Sequence, residues 1–343
     1  MSGGIDSAVA ALIAIDMGYE VSGATMLLCK KLIDGEDVSY TDVNDAKSVC
    51  ELLGIEHRAY DMSGLFHSTV IRDFIDTYYA GGTPNPCIVC NKHLKFGAFL
   101  EEELKRGADL IATGHYARTE KDSNGRSLLK KAADVQKDQT YMLWSLTQHQ
   151  LSHTVFPLGE LTKPEIRRIA EEKGFSVAHK SDSQDICFVP DGDYAAFIEG
   201  EVGEKFPSGD YIDEDGNVLG KHKGIIHYTI GQRKGLGISM GRHIFVTKKD
   251  AEHNTVTLAD EDRLFTDTVV IKGINLIPFD RIEGKLRVKA KIRYRHAESD
   301  AYAEQTGDDE ITLTFDEPQR APAKGQSAVM YDGDYVIGGG IIQ

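Results

Sequence analysis

Three short stretches carry residue types and spacings that could do chemistry. The first is S-G-G-I-D-S at residues 2–7. Two glycines let a backbone curl close to an anion, and Ser2, Ser7 and successive N–H groups can donate to it. The apolar run from Ala8 reads as a helix whose positive end would face a phosphate. Asp6 would repel that phosphate unless a cation lay between them, which points to Mg²⁺. The loop is not G-x-x-x-x-G-K-[S/T], a pattern found nowhere in the chain. Taken alone, it reads equally as a nucleotide loop or as a plain helix cap.

The second stretch is N-P-C-I-V-C-N, which sets Cys87 and Cys90 in C-x-x-C spacing behind a proline; Cys187 follows later in S-D-S-Q-D-I-C-F-V. The five cysteines (29, 50, 87, 90 and 187) are an odd, thinly spread set. That suits a reducing cytosol, where clustered thiols are more often catalytic or metal-binding than cross-linked. A structural zinc site needs four ligands, a set that His93 or His115 could complete. A thioredoxin-like dithiol is another reading of the spacing, and inert packing a third. Cys29 and Cys50 stand isolated and read as core.

The third stretch is K-L-R-V-K-A-K-I-R-Y-R-H. Lys285, Arg287, Lys289, Lys291, Arg293 and Arg295 occupy odd positions; Leu286, Val288, Ala290, Ile292 and Tyr294 occupy even ones. A strand would put all the cations on one face. In a chain of net charge -15, such a face favours a polyanion contact over a merely solvated surface. T-G-H-Y-A-R and K-D-Q-T-Y-M-L are polar clusters between apolar runs, and neither carries a reading alone.

These stretches need a scaffold. The 343 residues allow two or three domains, and 41% hydrophobic with 27% charged residues is a soluble globular composition. No apolar run approaches the roughly 18 residues of a membrane span. Ala8–Ile15 has the apolar character of a signal-peptide core, but no basic residue precedes it and Asp6 and Asp16 flank it, so secretion is discounted. Up to about residue 205, helices (8–18, from near Asp42, 67–81, 93–107 and one with Pro164 near its start) alternate with strands (19–27, 56–62, 108–117). This alternation predicts a parallel sheet covered by helices. Its ligands would lie beyond the carboxyl ends of the strands, at G-A-T-M, N-P-C-I-V-C and T-G-H-Y-A-R. From 206 the strands are short and alternating, among them G-I-I-H-Y-T-I, H-I-F-V-T-K-K-D and N-T-V-T-L-A. The expected division is a catalytic domain with a helical extension over 1–205, a small central β-rich domain over 206–270 and a C-terminal β-barrel of about six strands over 271–343.

Together these residues resemble the tRNA-specific 2-thiouridylase family of the ATP-pyrophosphatase superfamily. The match runs nearly end to end through S-G-G-I-D-S, G-G-T-P-N-P-C-I-V-C-N-K-H-L-K-F-G, A-T-G-H-Y-A-R, K-D-Q-T-Y-M-L, F-P-L-G-E-L-T-K-P-E-I-R-R-I-A-E-E-K-G, S-Q-D-I-C-F, H-Y-T-I-G-Q-R-K-G-L-G-I, K-I-R-Y-R and P-Q-R-A-P-A-K-G-Q-S-A-V-M-Y-D-G-D, in the family's order. The resemblance implies an α/β, adenine-nucleotide α-hydrolase-like first domain. It implies ATP held by Ser2, Gly3, Gly4, Ile5, Asp6 and Ser7, with Met26 and Gly114 also at the nucleotide. Asn85, Pro86 and Cys87 would meet the target base, and His115, Lys137, Asp138, Gln139, Arg293, Tyr294 and Gln326 the tRNA. Cys90 would be the nucleophile and Cys187 the persulfide carrier, and the two would end as a disulfide. The implied partners are a tRNA with a wobble uridine and a sulfur donor such as a cysteine desulfurase or relay protein, in the cytoplasm and without a membrane.

The chain departs from the family pattern twice. Members carry Asp where this chain has Cys87, so Cys87, Cys90 and Cys187 form a three-thiol set suited to a [4Fe–4S] cluster, and both this and the persulfide route stay open. Members also place a strand of about ten residues before the loop. The expectation is a start at an internal methionine, with neighbouring strand edges exposed and the loop unfixed without that strand.

Overall fold

The computed structural model describes the chain except for residues 30, 31, 34, 35, 38, 179, 181–185, 190, 191 and 239, and the side chains at 32, 33, 36, 37 and 39–42. The S-Q-D part of S-Q-D-I-C-F therefore lies outside the described residues. The chain forms two compact units, one of Met1–Ile71, Cys87–Gln184 and Gly333–Val336, the other of Arg72–Pro86, Asp185–Asp332 and Ile337–Gln343.

The first unit opens with α1 (Ile5–Asp16). Its run of Ile, Ala, Val and Leu is apolar nearly all round, and a helix of that kind must be buried. Ile5, Val9 and Leu12 pack with Ile166, Ala170 and Phe175 in one core cluster. The run that mimics a signal peptide is thus a core helix. Next come β1 (Gly23–Leu27), α2 (Ser39–Leu53) and β2 (His57–Asp61); β1 and β2 pair in parallel, with Met26 opposite Tyr60. α3 (Arg72–Tyr79) belongs to the second unit. α4 (Pro86–Cys90) leads through a π-helical turn, Asn91–Ala98, into α5 (Phe99–Lys105). β3 (Ile111–Ala112) precedes a hairpin of β4 (Ala117–Lys121) and β5 (Ser127–Lys131). After α6 (Gln148–Ser152) and β6 (Thr154–Val155) comes α7 (Lys163–Glu172). β3 pairs in parallel with β6, so among the described residues the parallel pairing of this unit is in two two-stranded pairs.

The β4–β5 hairpin escapes the sequence reading, although its turn chemistry is explicit. Asp122 accepts N–H bonds from Asn124 and Arg126, both at 2.8 Å, and Gly125 takes φ +81. α7 starts as its letters predict, with Pro164 in the first turn and Glu165 accepting from the Thr162 N–H at 2.7 Å.

The second unit contains α8 (Tyr194–Val202), another element the sequence reading lacks. Asp193 caps it by accepting the Ala196 N–H at 3.0 Å, and Gly203 ends it at φ +77. A four-stranded sheet follows, made of β7 (Gly209–Ile212), β8 (Val218–His222), β9 (Phe245–Asp250) and β10 (Thr255–Ala259), in the order β8-β7-β10-β9. G-I-I-H-Y-T-I is not a strand. Gly224 at φ +125 turns the chain into a 3₁₀ turn, Ile225–His227, and its N–H is taken by His222 Nδ1 at 3.1 Å. Finally β11 (Phe265–Leu276), β12 (Lys285–Lys291), β13 (Ser299–Gly307), β14 (Glu310–Arg320), β15 (Ser327–Asp332) and β16 (Tyr335–Ile342) run in the order β11-β14-β13-β12-β15-β16, with β11 pairing β16. This is the expected barrel of six strands, filled by Ile271, Val288, Ala301, Leu313 and Met330.

Candidate functional site

The S-G-G-I-D-S loop is held at four points, which corrects the expectation that it would be unfixed. Met1 N donates to the Ala24 carbonyl of β1. Lys180 Nζ donates to the Gly3 carbonyl at 3.1 Å and reaches Asp45 at 2.6 Å. Tyr116 OH donates to Asp6 at 2.7 Å, and Lys163 Nζ donates to both Asp6 oxygens at 2.7 and 2.9 Å. Gly3 takes φ +68, and the Ser2 N–H reaches Ser7 Oγ at 3.0 Å. No side chain caps the N-terminus of α1 at Gly4, so its first N–H groups have no capping side chain. Gly114 packs against the loop so closely that a β-carbon there would lie 2.8 Å from Asp6 C and 2.9 Å from Ser7 N. Met26 is half-buried near the carboxyl end of β1.

Cys87 and Cys90 sit one helical turn apart on α4. Cys87 is exposed and Cys90 buried. Desolvation raises both thiols above their ordinary pKa, while the Lys95 charge pulls each down. The same Lys95 bears on His115, which burial first and Lys95 second hold well below the usual histidine range, so it is neutral. His115 Nδ1 pairs with Thr113 Oγ1 at 2.9 Å, and its ring lies 5.6 Å from that of Phe96. Below the cysteines, Asn91 Nδ2 donates to Met142 O at 3.0 Å and Gln150 Nε2 to Lys92 O at 2.9 Å. These bonds fix the π-turn, a local irregularity common at working sites.

Cys187 belongs to the second unit, where it is exposed on a turn. Its neighbour Phe188 anchors that turn, packing its ring 5.2 Å from Phe74 of α3 and 5.1 Å from Phe197 of α8.

The remaining expected residues do more internal work than their letters suggest. Asp138 accepts the Ala132 N–H at 2.9 Å and the Thr140 hydroxyl at 2.6 Å; Gln139 accepts the Tyr116 N–H at 3.0 Å. Lys137 precedes them, half-buried. Arg293 donates to Ala321 O at 2.5 Å, and Lys291 Nζ lies 5.9 Å from the Tyr294 ring centre. Gln326 donates to the Thr83 and Pro84 carbonyls, each at 3.0 Å. The row of six same-face cations is only partly realised, because β12 ends at Lys291 and Arg293 and Arg295 lie beyond it. Lys285 lies 3.7 Å from Glu304, and Arg287 is held bidentately by Asp316 at 2.8 and 2.5 Å. Acidic residues of the adjoining barrel strands therefore relieve the self-repulsion that the spacing implies.

Three family models match successive parts of the chain. The family described as "tRNA methyl transferase HUP domain" matches residues 1–191. "tRNA methyl transferase PRC-barrel domain" matches 195–260 and "Aminomethyltransferase beta-barrel domain" matches 266–342. The tRNA-specific 2-thiouridylase MnmA of Acetivibrio thermocellus is 49% identical over 350 residues, covering all of this chain and 98% of its own. The proteins of the same name from Clostridioides difficile and Treponema denticola are 49% and 47% identical, again over the whole chain and 96% of theirs. The chain belongs to the tRNA-specific 2-thiouridylase family.

For a 2-thiouridylase the loop geometry fits a nucleotide phosphate: an uncapped helix start, two seryl hydroxyls and a glycine, Gly3, at φ +68. Asp6 is already matched by Lys163, so a magnesium ion there would arrive with the triphosphate rather than be summoned by Asp6 alone. For the alternative cluster, Cys87 and Cys90 supply two thiols, each raised above its ordinary pKa by desolvation and drawn down by Lys95. Among the described residues no group of three or more His, Cys, Asp or Glu side chains is arranged to hold a metal ion. The sequence reading missed Lys163, Lys180, Tyr116 and Lys95. Their signal was present but faint, since each lies inside or beside a quoted motif without being its conspicuous letter. No helix among the described residues is long and apolar enough to cross a membrane.

Proposed function

We propose that this chain replaces the C2 oxygen of a tRNA wobble uridine with sulfur, at the expense of ATP. The observation that carries this reading is the co-location, in one compact unit, of a phosphate-shaped loop and a C-x-x-C helix. Full-length relatives named 2-thiouridylases support it.

The uridine O2 is a poor leaving group and must be activated. It attacks the α-phosphorus of ATP, an O–P bond forms, and pyrophosphate leaves. The loop N–H groups, Ser2 and Ser7 bind the phosphates, Gly114 and Met26 bound the nucleotide, and Mg²⁺, when bound, neutralises phosphate charge. Cys187 receives a persulfide from a desulfurase or relay protein. The Cys90 thiolate attacks the Cys187 sulfur, the bond to the terminal sulfur breaks, and hydrosulfide is released to attack C2. AMP departs with the former O2, and a Cys90–Cys187 disulfide remains for an external dithiol to reduce. Asn85, Pro86 and Cys87 are assigned to the target base, and His115, Lys137, Asp138, Gln139, Arg293 and Tyr294 to tRNA engagement. The wobble base sits in an unpaired loop, so splaying it into a pocket costs little.

The test is incubation of a wobble-uridine tRNA transcript with the purified chain, Mg-ATP and sodium sulfide, followed by nucleoside mass analysis. ATP-dependent 2-thiouridine with matching AMP supports the reading. A methylated nucleoside, or no ATP-dependent change, overturns it.

A further inference from the structure

The segment just ahead of the cysteine helix, Gly81–Pro84, is gripped within the second unit by two other parts of the chain. From the barrel, Lys324 O accepts the Thr83 N–H at 2.8 Å, and Gln326 Nε2 donates to Thr83 O and Pro84 O at 3.0 Å each. From β9 of the four-stranded sheet, Lys249 Nζ donates to Gly82 O at 3.2 Å and to Tyr228 O at 2.9 Å, and it lies 5.9 Å from the Tyr78 ring centre. Two glycines make the approach possible. A β-carbon at Gly82 would lie 2.8 Å from Thr77 Cγ2 and 3.1 Å from Lys324 O; one at Gly325 would lie 2.8 Å from the same methyl and 3.1 Å from Thr83 O. Gly325 also sits at φ +88, closed to other residues without strain. The barrel loop is itself fixed, because Gly325 N donates to Ile342 O at 3.0 Å and Ile342 N to Gln326 O at 2.8 Å.

We propose that Gln326 and Lys249 are positioning residues for the Asn85–Pro86–Cys87 segment, acting through the carbonyls of Gly82, Thr83 and Pro84. The inference rests on the sulfur-transfer reading above. What it adds is a role for Gln326 other than direct tRNA contact and a role for Lys249, which no motif singled out. The link from grip to chemistry is covalent and stiff. Pro84 and Pro86 each lock φ and restrict the residue before them, so the two residues between the grip and Cys87, Asn85 and Pro86, have little freedom to absorb an error. Burial brings Lys249 down to about 8, yet its charge is spent on two carbonyls and a ring rather than on a carboxylate. A lysine kept in that setting is fixing backbone.

The test compares wild type with Gln326→Met, Gln326→Asn and Lys249→Met, using the tRNA transcript, Mg-ATP and sodium sulfide. A wild type that makes no 2-thiouridine defeats the underlying reading, not this one. With wild type active, the expected result is a kcat at least about tenfold lower, with KM for tRNA and filter-binding affinity within about twofold, because misplacement without lost contact is a kcat effect. Hydrogen exchange over residues 80–90 is expected to quicken while the barrel strands keep their protection. Gln326→Asn retains the amide but withdraws it by one carbon, and it supplies the result if the methionine variant does not fold. A raised KM for tRNA with unchanged kcat makes Gln326 a tRNA contact and overturns the proposal, as does unaltered exchange at 80–90.

Discussion

At the scale of single residues, the site depends on a few polar atoms whose partners decide their chemistry. Asp6 illustrates this. Its position in the loop suggests a metal, yet Lys163 and Tyr116 occupy its oxygens. Lys163→Met should leave the carboxylate without its charged partner, lower stability by about 2 kcal/mol and raise KM for ATP, as read by urea unfolding and ATP titration of AMP release. Unchanged KM with lowered stability would confine Lys163 to folding. Cys90 is the second case. Its thiol is raised by desolvation, and the thiolate is the reactive form, so sulfur transfer from the persulfide should rise with pH. The climb should be close to tenfold per unit between about pH 7 and about pH 8.5, the ordinary thiol range, without levelling. Cys90→Ser should retain tRNA-dependent pyrophosphate release while losing persulfide-supported 2-thiouridine. Loss of both activities would place Cys90 in the activation step instead.

At the scale of elements, the loop is only as good as the helix and strands behind it. α1 is buried on nearly every side, so its N-terminus cannot shift without disturbing the core it shares with α7. Gly114 shows how tight that seating is. Gly114→Ala would drive a methyl into the Asp6–Ser7 backbone, and overpacking of this kind costs about 1–3 kcal/mol. ATP affinity should fall about tenfold, measured by isothermal titration, while tRNA binding by filter assay stays within about twofold; unchanged ATP affinity would show that the loop accommodates the methyl. Long periodic elements were legible because period and caps agreed, as in α7 with its proline and Thr162–Glu165 pair. Two elements were missed for physical reasons. The β4–β5 hairpin hides a good N-G turn among charged letters, and α8 is short, glycine-interrupted and made by its Asp193 cap more than by periodicity. G-I-I-H-Y-T-I has strand composition, but the left-handed Gly224 overrides it. Among candidate site residues, the glycines, serines and cysteines are conspicuous letters of their motifs. The lysines that hold them could not be read from the letters, because a lysine's partner is a matter of tertiary geometry.

For the molecule as a whole, the question is how a chain of net charge -15 engages a polyanion. Alternation in β12 does place Lys285, Arg287 and Lys289 outward, with Val288 and Ala290 in the barrel core. But Arg287 is spanned by Asp316 on β14, with Asp300 of β13 at 3.6 Å, and this neutralises the residue at the centre of the row. Counting letters therefore overstates the cations available to displace counterions, and the salt dependence of tRNA binding should report the smaller number. Replacing the pair together, Arg287→Ala with Asp316→Asn, should leave both the affinity and the slope of log K against log salt nearly unchanged, because the charges it removes were already matched. Asp316→Asn alone should do the opposite. It releases one guanidinium on an outward barrel face, so binding should tighten at low salt and the slope steepen by about 0.7 to 0.9, the contribution of one phosphate contact. Filter binding of the tRNA transcript at several salt concentrations measures both. If the double variant instead weakens binding and flattens the slope by that amount, the Arg287–Asp316 pair opens on the nucleic acid, and the barrel strand carries the full charge that its sequence displays.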